Sequence, residues 1–165
     1  MHWEAVIAFP KMMVGVVTHE GLIAGIRYLP LGTAEKAPEN ALAERAARQI
    51  ERYREDPDTK FDLPLLIEGT DFQRRIWDAM CRIPRGRTLT YGELARKLGE
   101  DGADAPRAVG QACGDNRLPI VIPCHRVVAA SGIGGFGHST GGYLLEAKRW
   151  LLMHESSADA FRLRP

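Results

Sequence analysis

The chain has 165 residues, of which 45% are hydrophobic and 26% charged, so it is long enough for one globular domain or two small lobes. It holds no apolar run of the ~18 residues that a membrane-spanning helix needs, and we expect no membrane partner. Its cysteines are Cys81, Cys113 and Cys124, an odd number without a CxxC pair. This argues against a disulfide framework and a structural zinc motif, and it favours a reducing, cytoplasmic location.

Charge is distributed unevenly along the chain. Residues 1–68 carry a net charge of −3 and residues 69–165 a net charge of +4, within an overall charge of +1. A basic surface attracts a polyanion, so any nucleic-acid surface is expected in the second half. The difference is small and indicates where such a surface would lie rather than what it binds.

Residues 1–68 are predicted to form a small front lobe that combines a β-sheet with a helix. Three apolar or β-branched runs predict the strands, at residues 6–9, 13–18 and 22–29, with a hairpin turn at 19–21. Residues 41–55 carry apolar side chains on one stripe at helical spacing, which predicts an amphipathic helix. Residues 61–67 are typical of an extended segment at a sheet edge or in a linker, because they contain Pro64.

Residues 69–165 are predicted to form a helical second lobe. Thr70 with Gln73, and Thr90 with Glu93, each fit a capping box, in which two residues three apart satisfy the first amides of a helix. Helices are predicted at about residues 71–83, 91–98, 106–114 and 143–154. The second and third suggest a helix-turn-helix, although their spacing fits a plain helical hairpin equally well.

The densest group of reactive side chains is the run Cys124-His125-Arg126, which apolar residues flank on both sides. A cysteine is a good nucleophile only as a thiolate, so it needs a base or a positive charge nearby. His125 is the candidate base, but side chains adjacent in the chain do not face each other on a helix or strand. A relay through His125 therefore requires a water or a sharp bend. A buried structural cysteine beside a surface histidine explains the same composition.

The string 123–127 (PCHRV) resembles the active-site motif of the O6-alkylguanine-DNA alkyltransferases, repair proteins that move an alkyl group from guanine onto a cysteine. The resemblance covers most of the second lobe. It includes residues 69–73 (GTDFQ), 90–95 (TYGELA), 107–110 (RAVG), Asn116 before Pro119, and 148–152 (KRWLL) followed by His154-Glu155. The resemblance implies an α/β fold in which the front lobe precedes a lobe similar to a winged helix-turn-helix, which carries the active-site cysteine.

The resemblance implies a role for each catalytic candidate. Cys124 is the nucleophile, His125 takes its proton through a water, and Glu155 orients the imidazole. Tyr91 lies beside the flipped nucleotide and donates a proton or hydrogen bond to the departing guanine. Asn116 holds the turn that leads to Cys124. The reaction leaves a thioether, which is a poor leaving group, so each molecule is expected to act once.

The resemblance also implies how DNA is held. Guanine O6 is shielded inside a duplex, so the nucleotide must be flipped out, and Arg107 fills the gap with its planar guanidinium. Ala108, Gly110 and Ala112 allow their helix to approach the minor groove closely, although they also suit tight packing between helices. Arg126 is grouped with these DNA-contacting residues, with bracing of the turn or pairing with a carboxylate as its other possible role. The expected partner is double-stranded DNA containing O6-alkylguanine, bound by a monomer without cofactor or metal.

The loop at residues 131–142 departs most from the family pattern, in which a shorter glycine-rich stretch forms one wall of the base pocket. The substrate-pocket candidates in this loop are Phe136, His138 and Ser139. Cys81 and Cys113 fall within predicted helices and are expected in the core or in helix packing. The front lobe contains no cysteine, so the structural zinc of some relatives is not expected.

Two other function classes are compatible with these residues. A cysteine hydrolase that uses Cys124, His125 and Glu155 would turn over repeatedly on esters or amides, and its DNA-reading features would be unexplained. A non-catalytic DNA-lesion binder or a helix-turn-helix regulator would not need Cys124, and relatives that only bind lesions replace this cysteine.

Overall fold

The computed structural model describes residues 2–135 and 142–163, with side chains up to residue 156. Three antiparallel strands form a meander in the order β1 (Ala5–Ala8), β2 (Met13–His19) and β3 (Leu22–Leu29). The hairpin between β2 and β3 turns at Glu20 and Gly21, whose φ angles of 49° and 79° lie in the left-handed region that such a turn requires. The three predicted strands and their turn are confirmed.

Helix α1 (Ala41–Glu55) packs on this sheet and has the predicted bounds. Asn40 caps it, because its side-chain oxygen accepts a hydrogen bond from the amide of Ala43 at 2.8 Å. The buried stripe of the helix follows the helical repeat and consists of Ala43, Ala46, Ala47, Ile50 and Tyr53. Tyr53 is the last residue of this stripe, and its hydroxyl bonds Glu155 of the second lobe.

The segment 61–67 is extended, as predicted, and borders β3 through one parallel bridge. The amide of Ile23 donates to the carbonyl of Pro64 at 2.7 Å, and the amide of Leu66 donates to the carbonyl of Ile23 at 2.9 Å. Proline has no amide hydrogen to donate, so Pro64 uses only its carbonyl at this sheet edge.

In its described part, the second lobe contains four α-helices and a pair of short parallel strands. They are α2 (Asp71–Cys81), β4 (Leu89–Thr90), α3 (Tyr91–Lys97), α4 (Ala105–Gly114), β5 (Val127–Val128) and α5 (Gly142–Leu163). Strand β4 pairs with β5. Because β4 leads directly into α3 and β5 follows Cys124, this pairing places the start of α3 beside the segment that carries Cys124.

Both predicted capping boxes are present. The Thr70 hydroxyl accepts from the amide of Gln73 at 3.1 Å, and the Gln73 side chain accepts from the amide of Thr70 at 2.9 Å. Thr90 and Glu93 make the same two bonds at 3.0 and 2.9 Å. These reciprocal bonds fix where α2 and α3 begin. Helices α3 and α4 pack against each other, which fits both a helix-turn-helix and a helical hairpin.

Two helix ends and one cysteine differ from the predictions. Helix α2 ends at Cys81 rather than near residue 83, and α5 continues past residue 154 to Leu163. Cys81 is exposed rather than in the core, because it follows the buried Met80 and one step along a helix turns the side chain by about 100°. Cys113 is buried, as predicted.

The hydrophobic core is continuous across the predicted lobe boundary at residues 68 and 69. Buried side chains from Ala5 to Leu151 form one cluster that includes residues of the sheet, of α1 and of the helices of the second lobe. The amide of Ile26 on β3 also donates to the carbonyl of Arg117 at 2.9 Å. The division into residues 1–68 and 69–165 stays a prediction. Among the described residues, no helix is long and apolar enough to span a membrane.

Candidate active site

Cys124 begins a single 3-10 turn (Cys124–Arg126), which gives the chain a sharp bend between the apolar segment 118–122 and β5. Asn116 anchors the apolar segment at two points. Its side-chain amide donates to the carbonyl of Ile122 at 2.9 Å, and its side-chain oxygen accepts from the amide of Leu118 at 2.9 Å. Within this segment Ile120 has a φ of 73°, which is rare for a β-branched residue. The side chain of Asn116 therefore holds a bent segment in place ahead of the cysteine.

The His125 imidazole is held by Glu155 of α5. His125 Nε2 lies 2.8 Å from Glu155 Oε2, and the two residues are 0% and 1% exposed. Arg126 donates from Nε to Oε1 at 3.0 Å and from Nη2 to Oε2 at 3.1 Å. An ionised carboxylate only accepts, so Nε2 carries the proton and Nδ1 carries the lone pair. Among the described residues the buried Nδ1 has no hydrogen-bond partner.

Burial and pairing set the protonation states of this pair. Burial alone would raise the pKa of Glu155, but the hydrogen bond from His125 and the hydrogen bonds and charge of Arg126 outweigh it and hold the pKa well below its usual range. Burial lowers the pKa of His125 against the opposing pull of Glu155. The pair is thus an ionised carboxylate beside a neutral imidazole, whose Nδ1 is able to accept a proton.

Cys124 is 6% exposed and lines a cavity of about 770 Å³, together with Asn116, Pro119 and, from the front lobe, Tyr28. Burial raises the pKa of the Cys124 thiol to about 11, although a hydrogen bond from Asn116 and the charge of Lys148 act in the opposite direction. The sulfur therefore rests as a thiol. It becomes a nucleophile only if a neighbouring base removes its proton.

Lys148 of α5 places a buried positive charge near the cysteine. It is 1% exposed, and its ammonium donates to the carbonyls of Val127 and Gly135 at 2.9 and 3.0 Å. Burial lowers its pKa to about 8, while the proximity of Cys124 acts to raise it. The ammonium also lies 5.9 Å from the centroid of the Tyr91 ring. A positive charge here favours the thiolate over the thiol.

Tyr91, the first residue of α3, lies between two glycines. A Cβ at Gly134, where φ is 78°, would come within 2.9 Å of the phenol oxygen, so only glycine fits there without displacing the tyrosine. On the other side, a Cβ at Gly110 of α4 would lie 4.0 Å from the ring. Burial raises the pKa of Tyr91 to about 12, so the phenol keeps its proton and acts as a donor.

The predicted DNA-contacting residues separate into two groups. Arg107 and Ala108 are exposed on α4, and Gly110 is partly exposed. Ala112 is instead 2% exposed, and its carbonyl accepts a hydrogen bond from Trp77 at 2.8 Å, so its side chain packs inside the protein. Its small size serves the packing of α4 on α2, which was the other explanation for this residue.

Arg126 is also directed inward rather than towards DNA. Besides its two bonds to Glu155, it donates from Nη1 to the carbonyl of Ile83 at 2.6 Å, and its side chain is 13% exposed. The grouping of Arg126 with DNA-contacting residues is therefore wrong in this structure. Its role is the other one considered, in which it braces the turn and pairs with a carboxylate.

The substrate-pocket candidates Phe136, His138 and Ser139 lie outside the described residues. Within the described parts of the chain, no three His, Cys, Asp or Glu side chains lie close enough together to hold a metal ion.

Two residues at the site were not singled out from the sequence. Lys148 belongs to the KRWLL motif. It lies next to Ala147 on the apolar stripe of a predicted helix, and a lysine in that position indicates a buried charge. The hydroxyl of Tyr53 on α1 donates a hydrogen bond to Glu155 Oε2 at 2.6 Å. Its sequence pattern places it only on the apolar stripe of α1, and the 102 residues between the partners leave no local signal.

Comparison with known proteins places the chain in a family. A model of the family described as 6-O-methylguanine DNA methyltransferase, DNA-binding domain, matches residues 71–157, more than half of the chain. The chain belongs to this family. The resemblance drawn from the motifs is confirmed, and so is the α/β fold class.

Relatives in the 6-O-methylguanine DNA methyltransferase family match both sequence and fold. The methylated-DNA–protein-cysteine methyltransferase of Mycobacterium tuberculosis is 46% identical over 113 residues, which are 68% of this chain and 64% of that protein. The crystal structure of the Mycobacterium tuberculosis O6-methylguanine methyltransferase superposes with a TM-score of 0.75 at 35% identity, covering 92% of this chain and 91% of that one. A crystal structure of Mycobacterium tuberculosis OGT in complex with DNA matches equally well.

The family match covers most of the site but not all of it. The span 71–157 includes Tyr91, Asn116, the Cys124–Arg126 turn, Lys148 and Glu155. Tyr53 lies outside this span, on the front lobe.

Proposed function

We propose that the protein repairs DNA by transferring an alkyl group from O6 of guanine to the sulfur of Cys124, and that each molecule acts once. The observation that carries the proposal is the buried His125, whose Nε2 is bound to Glu155 while Nδ1 has no partner among the described residues. Such an imidazole is set to accept one proton, and the neighbouring residue is a thiol that must lose one.

The first step is proton transfer. The Cys124 proton moves to His125 Nδ1 through one water, because the two side chains are consecutive in the chain and do not face each other. The resulting imidazolium is stabilised by the ionised Glu155, which stays unprotonated because its pKa is held low. The thiolate is stabilised by the ammonium of Lys148 and by the side-chain amide of Asn116.

The second step is displacement at the alkyl carbon. The thiolate forms the sulfur–carbon bond while the bond between O6 and the alkyl carbon breaks, and its electron pair stays on guanine. Tyr91 donates a proton or hydrogen bond to the departing base, for which its phenol is protonated at neutral pH. The product is a thioether on Cys124. A thioether is a poor leaving group towards water, so Cys124 stays alkylated and the protein is consumed.

The DNA partner is proposed from the exposed face of α4. Arg107 and Ala108 lie on this face and are exposed to solvent, with Gly110 close behind against Tyr91. Small residues permit close approach of the helix to the minor groove, and the Arg107 guanidinium replaces the flipped nucleotide in the stack. In this proposal α3 and α4 act as the helix-turn-helix. The expected partner is double-stranded DNA that contains O6-alkylguanine.

A reducing cytoplasm is the proposed location. Cys81, Cys113 and Cys124 are all unpaired, and Cys81 is exposed. An oxidising compartment would expose that thiol to disulfide exchange.

The proposal is tested by stoichiometry. Protein is mixed with an excess of duplex that contains O6-methylguanine, and intact mass with peptide mapping follows the alkyl group. We expect one alkyl group per protein, all of it on Cys124. The Cys124→Ala variant should bind the duplex with unchanged affinity and transfer nothing, while Cys81→Ala should transfer at the full rate. Product in excess of the protein would contradict the proposal, and repeated turnover of an ester or amide by Cys124 would favour the cysteine hydrolase.

A further inference from the structure

The Glu155 carboxylate receives hydrogen bonds from both lobes. From the second lobe it accepts from His125 at 2.8 Å and from Arg126 at 3.0 and 3.1 Å. From the front lobe it accepts from the hydroxyl of Tyr53 at 2.6 Å, the shortest of these bonds. Tyr53 is 2% exposed, so this bond is not exchanged with solvent.

These bonds crowd one oxygen of the carboxylate. A carboxylate has about four acceptor positions on its two oxygens. Arg126 Nε occupies one position on Oε1, and three donors converge on Oε2, those of Tyr53, His125 and Arg126. Tyr53 thus shares an oxygen with the imidazole, and it limits where that oxygen can move.

We propose that Tyr53 is a positioning residue for the relay, which holds Glu155 so that His125 presents Nδ1 to Cys124. The inference rests on the proposed function, and it assigns to the front lobe a part in the chemistry of the second. Tyr53 does not touch the reacting atoms. It acts through the carboxylate, as a donor that fixes its orientation and disperses part of its negative charge.

The Tyr53 ring is itself held from two sides. His154, next to Glu155 on α5, donates from Nε2 to the carbonyl of Tyr53 at 2.8 Å, and the two rings meet edge to face at 5.4 Å. Phe61 of the extended segment contacts the ring at a centroid distance of 5.8 Å. Burial raises the pKa of Tyr53 far above its usual value, so the phenol is a permanent donor.

The other charged or titratable groups around this network come from several elements. They are His125, Arg126 and Cys124 from the turn, Lys148 from α5, Tyr28 from β3, and Arg85, which donates to the Glu155 carbonyl at 3.0 Å and binds Asp58. Tyr53 differs from them because its hydroxyl bonds the carboxylate oxygen that accepts from His125, and it does so without a charge of its own.

The test is the Tyr53→Phe variant, which removes the hydroxyl and keeps the ring. The single-turnover rate of alkyl transfer is measured between pH 5 and 9. We expect it to fall about tenfold at neutral pH, the order that the loss of one hydrogen bond to a charged group gives. We also expect the acid limb of the pH profile to move to higher pH. Without the Tyr53 hydrogen bond, the negative charge of the carboxylate is less dispersed, so it stabilises the protonated His125 more strongly and raises its pKa.

Ile50→Val is the matched control. Ile50 is fully buried one turn earlier on α1 and has no polar atom to bond Glu155, so the variant reports loss of packing alone. It should leave the pH profile in place. If Tyr53→Phe gives the same rate and the same acid limb as Ile50→Val, the proposal is overturned.

A second measurement separates this proposal from the function on which it rests. Alkylation of Cys124 by iodoacetamide, followed by peptide mapping against pH, reports thiol activation without any DNA. Tyr53→Phe should slow this reaction, and it should have no further effect in a Glu155→Gln background, because it acts through that carboxylate. Additive effects of the two changes would overturn the positioning role. A shift with iodoacetamide but no transfer from O6-methylguanine would refute the DNA repair function and support the role of Tyr53.

Discussion

Residues 1–68 (the front lobe) and residues 69–165 (the second lobe) contribute to the site in different ways. The second lobe carries the recognisable motifs, and the family match at residues 71–157 lies entirely within it. The likeness to the Mycobacterium tuberculosis structure extends over 92% of the chain, so the front lobe shares the fold although it carries no motif of its own. The front lobe nevertheless supplies Tyr53 to the Glu155 carboxylate and Tyr28 to the wall of the cavity. The front lobe can therefore shape the candidate site although it carries no motif of its own.

Buried charge is also divided unequally. Among the described residues, the buried residues of acidic or basic type are His125, Lys148 and Glu155, all in the second lobe. Buried charges cost free energy unless they are paired. Here each of them is paired with groups from another part of the fold. The front lobe is instead held by its apolar sheet face and α1. We therefore expect single changes in the polar network to be more harmful than changes of similar size in the front lobe.

The largest effect is expected from Arg126→Met. The change leaves Glu155 buried without its cationic partner, and breaking a buried ion pair from one side typically costs about 3 kcal/mol or more. Urea unfolding measures this loss. Arg149→Met is the control, because Arg149 pairs with Glu146 on the exposed side of α5 and such pairs contribute less than about 1 kcal/mol. Equal losses in the two variants would show that the buried network does not dominate the stability of the second lobe.

Lys148→Met tests the electrostatic support of the thiolate. Without the ammonium, the pKa of Cys124 should rise from its already high value by about one unit, since a nearby opposite charge typically shifts a pKa by that amount or more. Iodoacetamide labelling of Cys124 against pH measures the shift, and the rate near pH 7 should fall about tenfold.

The control for this change is Lys60→Met, an exposed lysine of the front lobe. Its labelling profile should match that of the unchanged protein. Lys148 itself has a pKa of about 8, so its support is present below that pH and is lost above it. The profiles of Lys148→Met and of the unchanged protein should therefore converge in alkaline solution, and a constant separation would contradict the charge effect.

What the sequence could predict depends on the distance between interacting residues. The strands, α1, the two capping boxes and the Cys124-His125 motif all follow from residues within a few positions of each other. The inward direction of Arg126 and the burial of Ala112 depend on which side of an element faces a neighbour, and spacing alone left both open. The Tyr53 contact, across 102 residues, has no local pattern, and neither has the placement of Lys148 near Cys124.

The smallest effect is expected from removing a helix cap. One cap in each lobe can be removed, so the two variants compare the stability of the lobes directly. Asn40 caps α1 in the front lobe, and Thr70 caps α2 in the second. Replacing either with alanine should cost about 1 kcal/mol of unfolding free energy, because one helix amide loses its acceptor. If the continuous core makes the lobes unfold together, tryptophan fluorescence and circular dichroism should report the same lowered midpoint in both variants.

Separate transitions, with Asn40→Ala lowering only the first and Thr70→Ala only the second, would show that the lobes are independent units. In that case the Tyr53 bond would be the contact of two bodies that can part, and Asn40→Ala would slow alkyl transfer near the melting of the front lobe. With one cooperative unit, neither cap variant should change the transfer rate well below its midpoint. The caps therefore decide whether the front lobe supports the site as part of one folded unit or as a separable partner.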